Sequence, residues 1–259
     1  MKIKLLIITL ASALCLSLTS CKDDVEAPPD PTDTELTEVA SISDTLLSES
    51  ADRGRDYIDS FIFIGESTTY HMKSRGVLSG GVETKQVWAP RGGTMTLDLS
   101  ADKIKIVYPE TGEELTFFEA AAKKRPEHVL MTFGLNGAVQ NIKQGETYFK
   151  TAYKKLINAI RTASPETKII LGAAFPVAEN MDMSAYSVSA KTLNEYIDTI
   201  NKWTLSLAAE EGLRYLDTAE IMKNENNSLK KDYDAGDGYH LTKEAYEAIL
   251  YYIRTHAYN

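Results

Sequence analysis

A hydroxyl in the first third of the chain and an imidazole close to its end have the surroundings that chemistry would need. Ser67 stands two residues past Gly65, directly after the apolar run Phe61-Ile62-Phe63-Ile64. At such a strand end its hydroxyl is exposed at a sheet edge. Its own N–H lies near a helix N-terminus, which favours developing negative charge. A serine attacks only when a base takes its proton, and the base needs an acceptor that fixes its tautomer. Asp237-Gly238-Tyr239-His240 offers both, an acid three residues before a histidine in a glycine-containing loop. The chain has 4 histidines, and neither His71, His128 nor His256 has an acid placed in that way. A third fragment, Phe133-Gly134-Leu135-Asn136-Gly137, follows another apolar run, and the Asn136 side-chain amide can donate to an oxyanion there. Removing one such donor costs about 10² to 10³ in rate. Taken singly, each fragment has a commoner meaning: a serine helix cap, an Asn-Gly turn, a surface histidine bonded to its neighbour.

The elements that must position these residues can be read from periodicity. Phe61-Ile62-Phe63-Ile64, Val129-Leu130-Met131-Thr132-Phe133 and Ile169-Ile170-Leu171-Gly172 are short apolar runs of the kind buried parallel strands show. Between and after them lie amphipathic helices. Phe149, Ala152, Tyr153, Leu156, Ile157 and Ile160 mark one face, and Leu193, Tyr196, Ile197, Ile200, Thr204 and Leu207 mark another, with Gly212 placed to end that helix. Thr242 is expected to cap a last helix containing Ala245, Ile249 and Ile253. Strands alternating with helices predict a three-layer α/β/α sandwich around a central parallel sheet. Ligands bind such sheets at the carboxyl ends of the strands, where the candidate residues fall. Within residues 82–107, Val87-Trp88 and residues 94–99 alternate like strands, and Ile104-Lys105-Ile106-Val107 suggests a small hairpin insertion.

Together the fragments occur in the order Ser, Gly, Asn, Asp-x-x-His, and this resembles the SGNH/GDSL hydrolase family. Phe63-Ile64-Gly65-Glu66-Ser67 resembles the block containing Gly-Asp-Ser, Gly134-Leu135-Asn136-Gly137 resembles Gly-x-Asn-Asp, and Asp237-Gly238-Tyr239-His240 resembles Asp-x-x-His. Arg91-Gly92-Gly93-Thr94 stands where the glycine block is expected. The resemblance runs from about Tyr57 to the C-terminus. It implies a flavodoxin-like fold, attack by Ser67, proton transfer to His240 and orientation of His240 by Asp237. It further implies an oxyanion hole formed by Ser67 N–H, the N–H of either Gly92 or Gly93, and Asn136. Ester hydrolysis through an acyl-enzyme, with no cofactor and no metal, is the implied reaction. Two departures stand out: Glu66 replaces the usual Asp, and Gly137 replaces the Asp after Asn136.

The N-terminal region reads as an address. Lys2 and Lys4 precede an apolar stretch over residues 5–18, and Leu18-Thr19-Ser20-Cys21 resembles the lipobox of bacterial lipoproteins, in which the cysteine is acylated. Residues 1–20 are therefore expected to be a signal peptide and residues 21–42 an acidic, Pro-rich tether, leaving residues 43–259 as the hydrolase domain. Lys22-Asp23-Asp24 is similar to a surface-export signal of Bacteroidetes lipoproteins. The expected location is the cell envelope of a Gram-negative bacterium, on the outer membrane or cell surface. Cys15 and Cys21 are the 2 cysteines, so residues 22–259 hold no thiol for disulfides, thiolate metal sites or a cysteine nucleophile. A net charge of -9 argues against nucleic acid as a partner. Asp232, Asp234 and Asp237 alternate as in a calcium loop, but its twelfth position is Lys243 rather than Glu. Phosphate-loop and dinucleotide fingerprints are absent. Two rival readings keep the fold: a surface-binding lipoprotein without turnover, and an O-acyltransferase. Retention of nucleophile, base, acid and oxyanion donor together favours an enzyme over the binder. Acylated carbohydrate is the substrate class in view; Trp88, Tyr70 and Tyr239 lie near the motifs, where core packing explains each of them more simply than stacking on a sugar.

Overall fold

The computed structural model describes residues 43–100 and 103–258; the expected signal peptide, Cys21 and the expected tether lie outside them. In chain order the elements are α1 (Gly54–Asp59), β1 (Phe61–Gly65), α2 (Ser67–Ser74), β2 (Val87–Trp88), α3 (Leu97–Ser100), β3 (Ile106–Val107), β4 (Glu114–Leu115) and α4 (Phe117–Lys124). They continue with β5 (His128–Thr132), α5 (Ala138–Gln144), α6 (Glu146–Ala163), β6 (Lys168–Gly172), α7 (Ala190–Glu210), β7 (Arg214–Leu216) and α8 (Lys243–Thr255).

Five strands form one parallel sheet in the order β2-β1-β5-β6-β7. Both faces are covered. Ile62, Ile64, Val129, Met131, Ile169 and Leu171 pack with residues of α4, α6 and α7. Alternate residues Phe61, Phe63, Leu130 and Ile170 pack with Ile58 of α1, Met72 of α2 and the α8 residues Tyr246, Ile249 and Ile253. Burial on both sides is why these strands read as continuous apolar runs rather than as alternation. The sheet is the centre of the expected three-layer sandwich. Its strand order reverses between β1 and β5, which makes the crevice beyond their carboxyl ends the place where a ligand binds. Register levels those ends: Gly65 pairs with Thr132, and Thr132 with Gly172.

The predicted helices form, and of the residues marked on α7 all but the half-buried Tyr196 are buried. All six residues marked on α6 are buried, and α7 ends at Glu210, two residues before Gly212, whose φ is +63°. Thr242 caps α8, its side chain accepting the Ala245 N–H at 3.3 Å. The stretch over residues 82–107 departs in one respect. Val87–Trp88 is a strand at the edge of the main sheet, and Ile106–Val107 pairs antiparallel with β4 as a hairpin. Residues 94–96 are irregular, however, and Leu97–Ser100 is a helix. The alternating pattern misled there because Met95 and Leu97 are buried from a loop and a helical turn rather than from a pleated strand.

Candidate active site

Ser67 is the first residue of α2, and Glu66, not the serine, occupies the cap position. No carbonyl of the helix can take the N–H of its first residue, so that donor is left for another acceptor. The turn from β1 into α2 is very tight. A Cβ on Gly65 would lie 2.2 Å from Thr69 Oγ1 and 2.4 Å from the Thr132 carbonyl, so only glycine lets the helix start this close to β5.

His240 reaches this serine from a loop held on several sides. The Asp234 carboxylate accepts the N–H groups of Gly236 and Gly238 at 2.8 and 2.9 Å, and Ala235 N–H donates to the His240 carbonyl at 2.9 Å. The Tyr246 hydroxyl on α8 donates to the Thr68 carbonyl at 2.5 Å, tying the helix after His240 to the helix that carries Ser67. A third support comes through α7. Asn194 accepts the Val177 N–H at 2.8 Å and donates to the Val177 carbonyl at 2.9 Å, and Ala178 N–H then donates to the Gly238 carbonyl at 2.7 Å. Asn201 grips Ala174 in the same way at 2.8 and 3.0 Å.

The result is a continuous line of hydrogen bonds. Ser67 Oγ lies 3.0 Å from His240 Nε2, and His240 Nδ1 lies 2.6 Å from Asp237 Oδ2. A carboxylate only accepts, so Nδ1 carries the hydrogen and Nε2 is the acceptor for the serine hydroxyl. Asp237 Oδ1 is fully used, accepting the N–H groups of Tyr239 and His240 at 3.1 and 2.8 Å. Burial acts to raise the Asp237 pKa, but the His240 backbone and ring donors and the Tyr239 N–H outweigh it and hold the carboxyl below its ordinary value. The His71 ring, one helical turn past Ser67, stacks on His240 with centroids 4.0 Å apart. Burial first, and then the neighbouring His240, depress the His71 pKa, which disfavours a second positive charge beside the imidazolium.

The structure brings the glycine block and Asn136 together, in an arrangement the sequence does not reveal. Gly93 N–H donates to the Pro90 carbonyl at 2.9 Å, which commits it to the turn and leaves Gly92 as the glycine with an N–H to offer. Gly93 has a φ of +71°, and a Cβ on it would meet the Tyr70 ring at 2.7 Å. Both hydrogens of the Asn136 amide are engaged, by Thr94 Oγ1 and the Met95 carbonyl at 3.1 Å each. Asn136 therefore anchors the glycine loop, and it can donate to an oxyanion only by exchanging one of these bonds. Gly137, with a φ of +75°, precedes the first turn of α5.

Glu66 is the residue whose role sequence reasoning missed in kind. It is 2% exposed and its two oxygens accept the N–H groups of Gly134 and Leu135 at 3.0 and 3.1 Å, clamping the loop that carries Asn136. Burial pushes its pKa up to about 7, against the pull of the Gly134, Asn136 and Leu135 N–H groups. Tyr153, itself buried, is the titratable neighbour it perturbs. The folded chain thus holds a proton that the unfolded chain releases between the ordinary carboxylate range and pH 7. Stability from this group is full below about pH 4.5 and is lost as pH rises through 7. Glu66→Gln is expected to remove that slope. Urea denaturation at pH 5 and pH 8 should show the native chain losing about 2.5 kcal/mol relative to the variant across the interval. Parallel stability curves would contradict the assignment.

A nucleophile, base and acid in line at the switch point of a doubly wound parallel sheet, beside a loop with backbone donors, define a serine hydrolase site. The chain belongs to the GDSL-like Lipase/Acylhydrolase family, which it matches over residues 63–248, and it is accordingly a serine hydrolase acting on ester bonds. Solved structures share the fold. A Streptococcus pneumonia protein described as a platelet activating factor superposes with a TM-score of 0.54 at 18% identity, over 84% of this chain and 89% of that one. A DUF4886 family protein from Bacteroides uniformis gives 0.50 at 16% identity, over 77% and 83%. No curated protein matches the sequence. Among the described residues no group of three or more His, Cys, Asp or Glu is arranged to hold a metal ion, and the Asp234 carboxylate of the alternating aspartates is occupied by loop N–H groups.

Proposed function

We propose that this chain is a lipid-anchored, exported esterase that removes O-acyl groups from carbohydrates. The observation that carries the catalytic part is the unbroken line from Ser67 through His240 to Asp237. In this reading Ser67 Oγ attacks the ester carbonyl while Nε2 of His240 takes its proton. The tetrahedral oxyanion is met by the N–H groups of Ser67 and Gly92, with Asn136 joining once its Thr94 bond is exchanged. The imidazolium, stabilised by Asp237, then returns the proton to the departing alcohol, leaving an acyl group on Ser67. Water repeats the cycle in reverse, with His240 again as base. The anchor is supported by Leu18-Thr19-Ser20-Cys21 and the acidic tether behind it, which set the domain at a membrane surface of the cell envelope.

The test is turnover of an aryl acetate by the protein, with methanol or a sugar added as competing acceptor. Release of the aryl group with acetate as the main product supports hydrolysis. Acetyl transfer to the added alcohol in preference to water would make the chain a transferase, and no turnover would sink the proposal.

A further inference from the structure

Of the aromatic residues near the motifs, Trp88 is wholly buried and Tyr239 packs against the His240 ring at 4.2 Å. Tyr70 differs. It lies one turn past Ser67 on α2, covers Gly93 on one side, and lines a cleft of about 290 Å³ along the edge strand β2. The cleft adjoins the glycine loop, since Arg91 lines it and Gly92 is the next residue. Lys73 and Glu83 line it as well, together with the apolar Val87 and Val107.

We propose that this cleft is the subsite for the sugar part of the ester, a neutral pyranose; the assignment rests on the esterase reading above. Its volume is close to the lower end of the roughly 300–1,000 Å³ typical of small-molecule sites. Its chemistry mixes cationic donors, a carboxylate acceptor, tyrosine and apolar contact surface. An acyl chain there would hold hydrocarbon against Lys73, Arg91 and Glu83, and removing charged groups from water without partners is costly. A strongly anionic ligand would meet Glu83. Hydroxyl groups of a sugar both donate and accept, so they can satisfy Glu83 and the two cations at once, while the C–H face of the ring packs on Tyr70. Arg91 is paired with Glu114 at 3.4 Å, but the two side chains are 74% and 51% exposed, and so open a pair contributes little and is readily exchanged for a ligand.

The experiment compares kcat/KM for a mono-O-acetylated hexose with its other hydroxyls free, an aryl acetate and an aryl octanoate in the native protein and in the double variant Lys73→Ala/Glu83→Ala. Both positions lie outside the buried core, so the variant should fold, which a melting curve checks. The ratio of sugar acetate to aryl acetate is expected to fall about 10-fold. An unchanged ratio, or no action of the native protein on the sugar acetate despite turnover of the aryl acetate, overturns the subsite and leaves the esterase standing. A change confined to the octanoate also overturns it, because the cleft would then take the acyl group. Failure of the native protein on all three esters would defeat the esterase reading itself.

Discussion

Ser67→Ala is expected to lower kcat/KM for a small aryl ester by about 10³-fold or more, the residue of activity coming from the oxyanion donors and substrate binding alone. The argument is local. Alanine removes one oxygen whose recorded partner is His240 Nε2, and leaves the backbone N–H of the same residue in place. It is also the best helix former, here in the first position of α2, so the loss should appear in kcat with folding intact. Steady-state kinetics together with a melting curve separate the two effects. Rates within about 10-fold of the native protein would place the nucleophile elsewhere, since truncation of an attacking group cannot cost so little.

Asp237→Asn is expected to cost about as much, 10³- to 10⁴-fold, for a reason visible in the loop. Oδ1 already accepts two backbone N–H groups, from Tyr239 and His240. An asparagine must keep its carbonyl oxygen at that position, which turns its NH₂ toward His240 Nδ1. The imidazole can then only accept at Nδ1, its hydrogen moves to Nε2, and the acceptor for the Ser67 hydroxyl disappears. Asp237→Ala lacks this forced tautomer. The side chain of Asp237 is 44% exposed, so water can take the place of the removed carboxylate beside Nδ1. The asparagine variant should therefore be no more active than the alanine variant in the same assay. A clearly more active asparagine variant would mean that tautomer control is not what Asp237 supplies.

The sheet was legible because its strands are buried on both faces, and β1, β5 and β6 announce themselves as apolar runs. The triad was legible because Asp237 and His240 are local to each other and Ser67 follows a strand directly. What holds the triad in place was not. Asn194 and Asn201 lie on the helix whose apolar face was recognised, yet polar side chains on a helix read as solvent-facing. These two are buried because they replace the missing hydrogen-bond partners of the loop after β6. Glu66 read as a departure from Asp, whereas its contacts with Gly134 and Leu135 join two loops 68 and 69 residues apart. Such long-range bonds leave no periodic trace. The choice between Gly92 and Gly93 likewise depended on a turn bond from Gly93 to Pro90. The Asn136 amide is the instructive case: its type and place pointed to oxyanion donation, and its recorded partners are Thr94 and Met95.

The central claim is that Ser67 is made nucleophilic by His240. The direct measurement is covalent trapping with a fluorophosphonate, followed by mass spectrometry of the digested protein. The account predicts a single adduct on the peptide containing Ser67, formed at least about 100-fold more slowly in His240→Ala, in keeping with the usual contribution of a general base. Labelling at another residue, or equally fast labelling of Ser67 without His240, would contradict it.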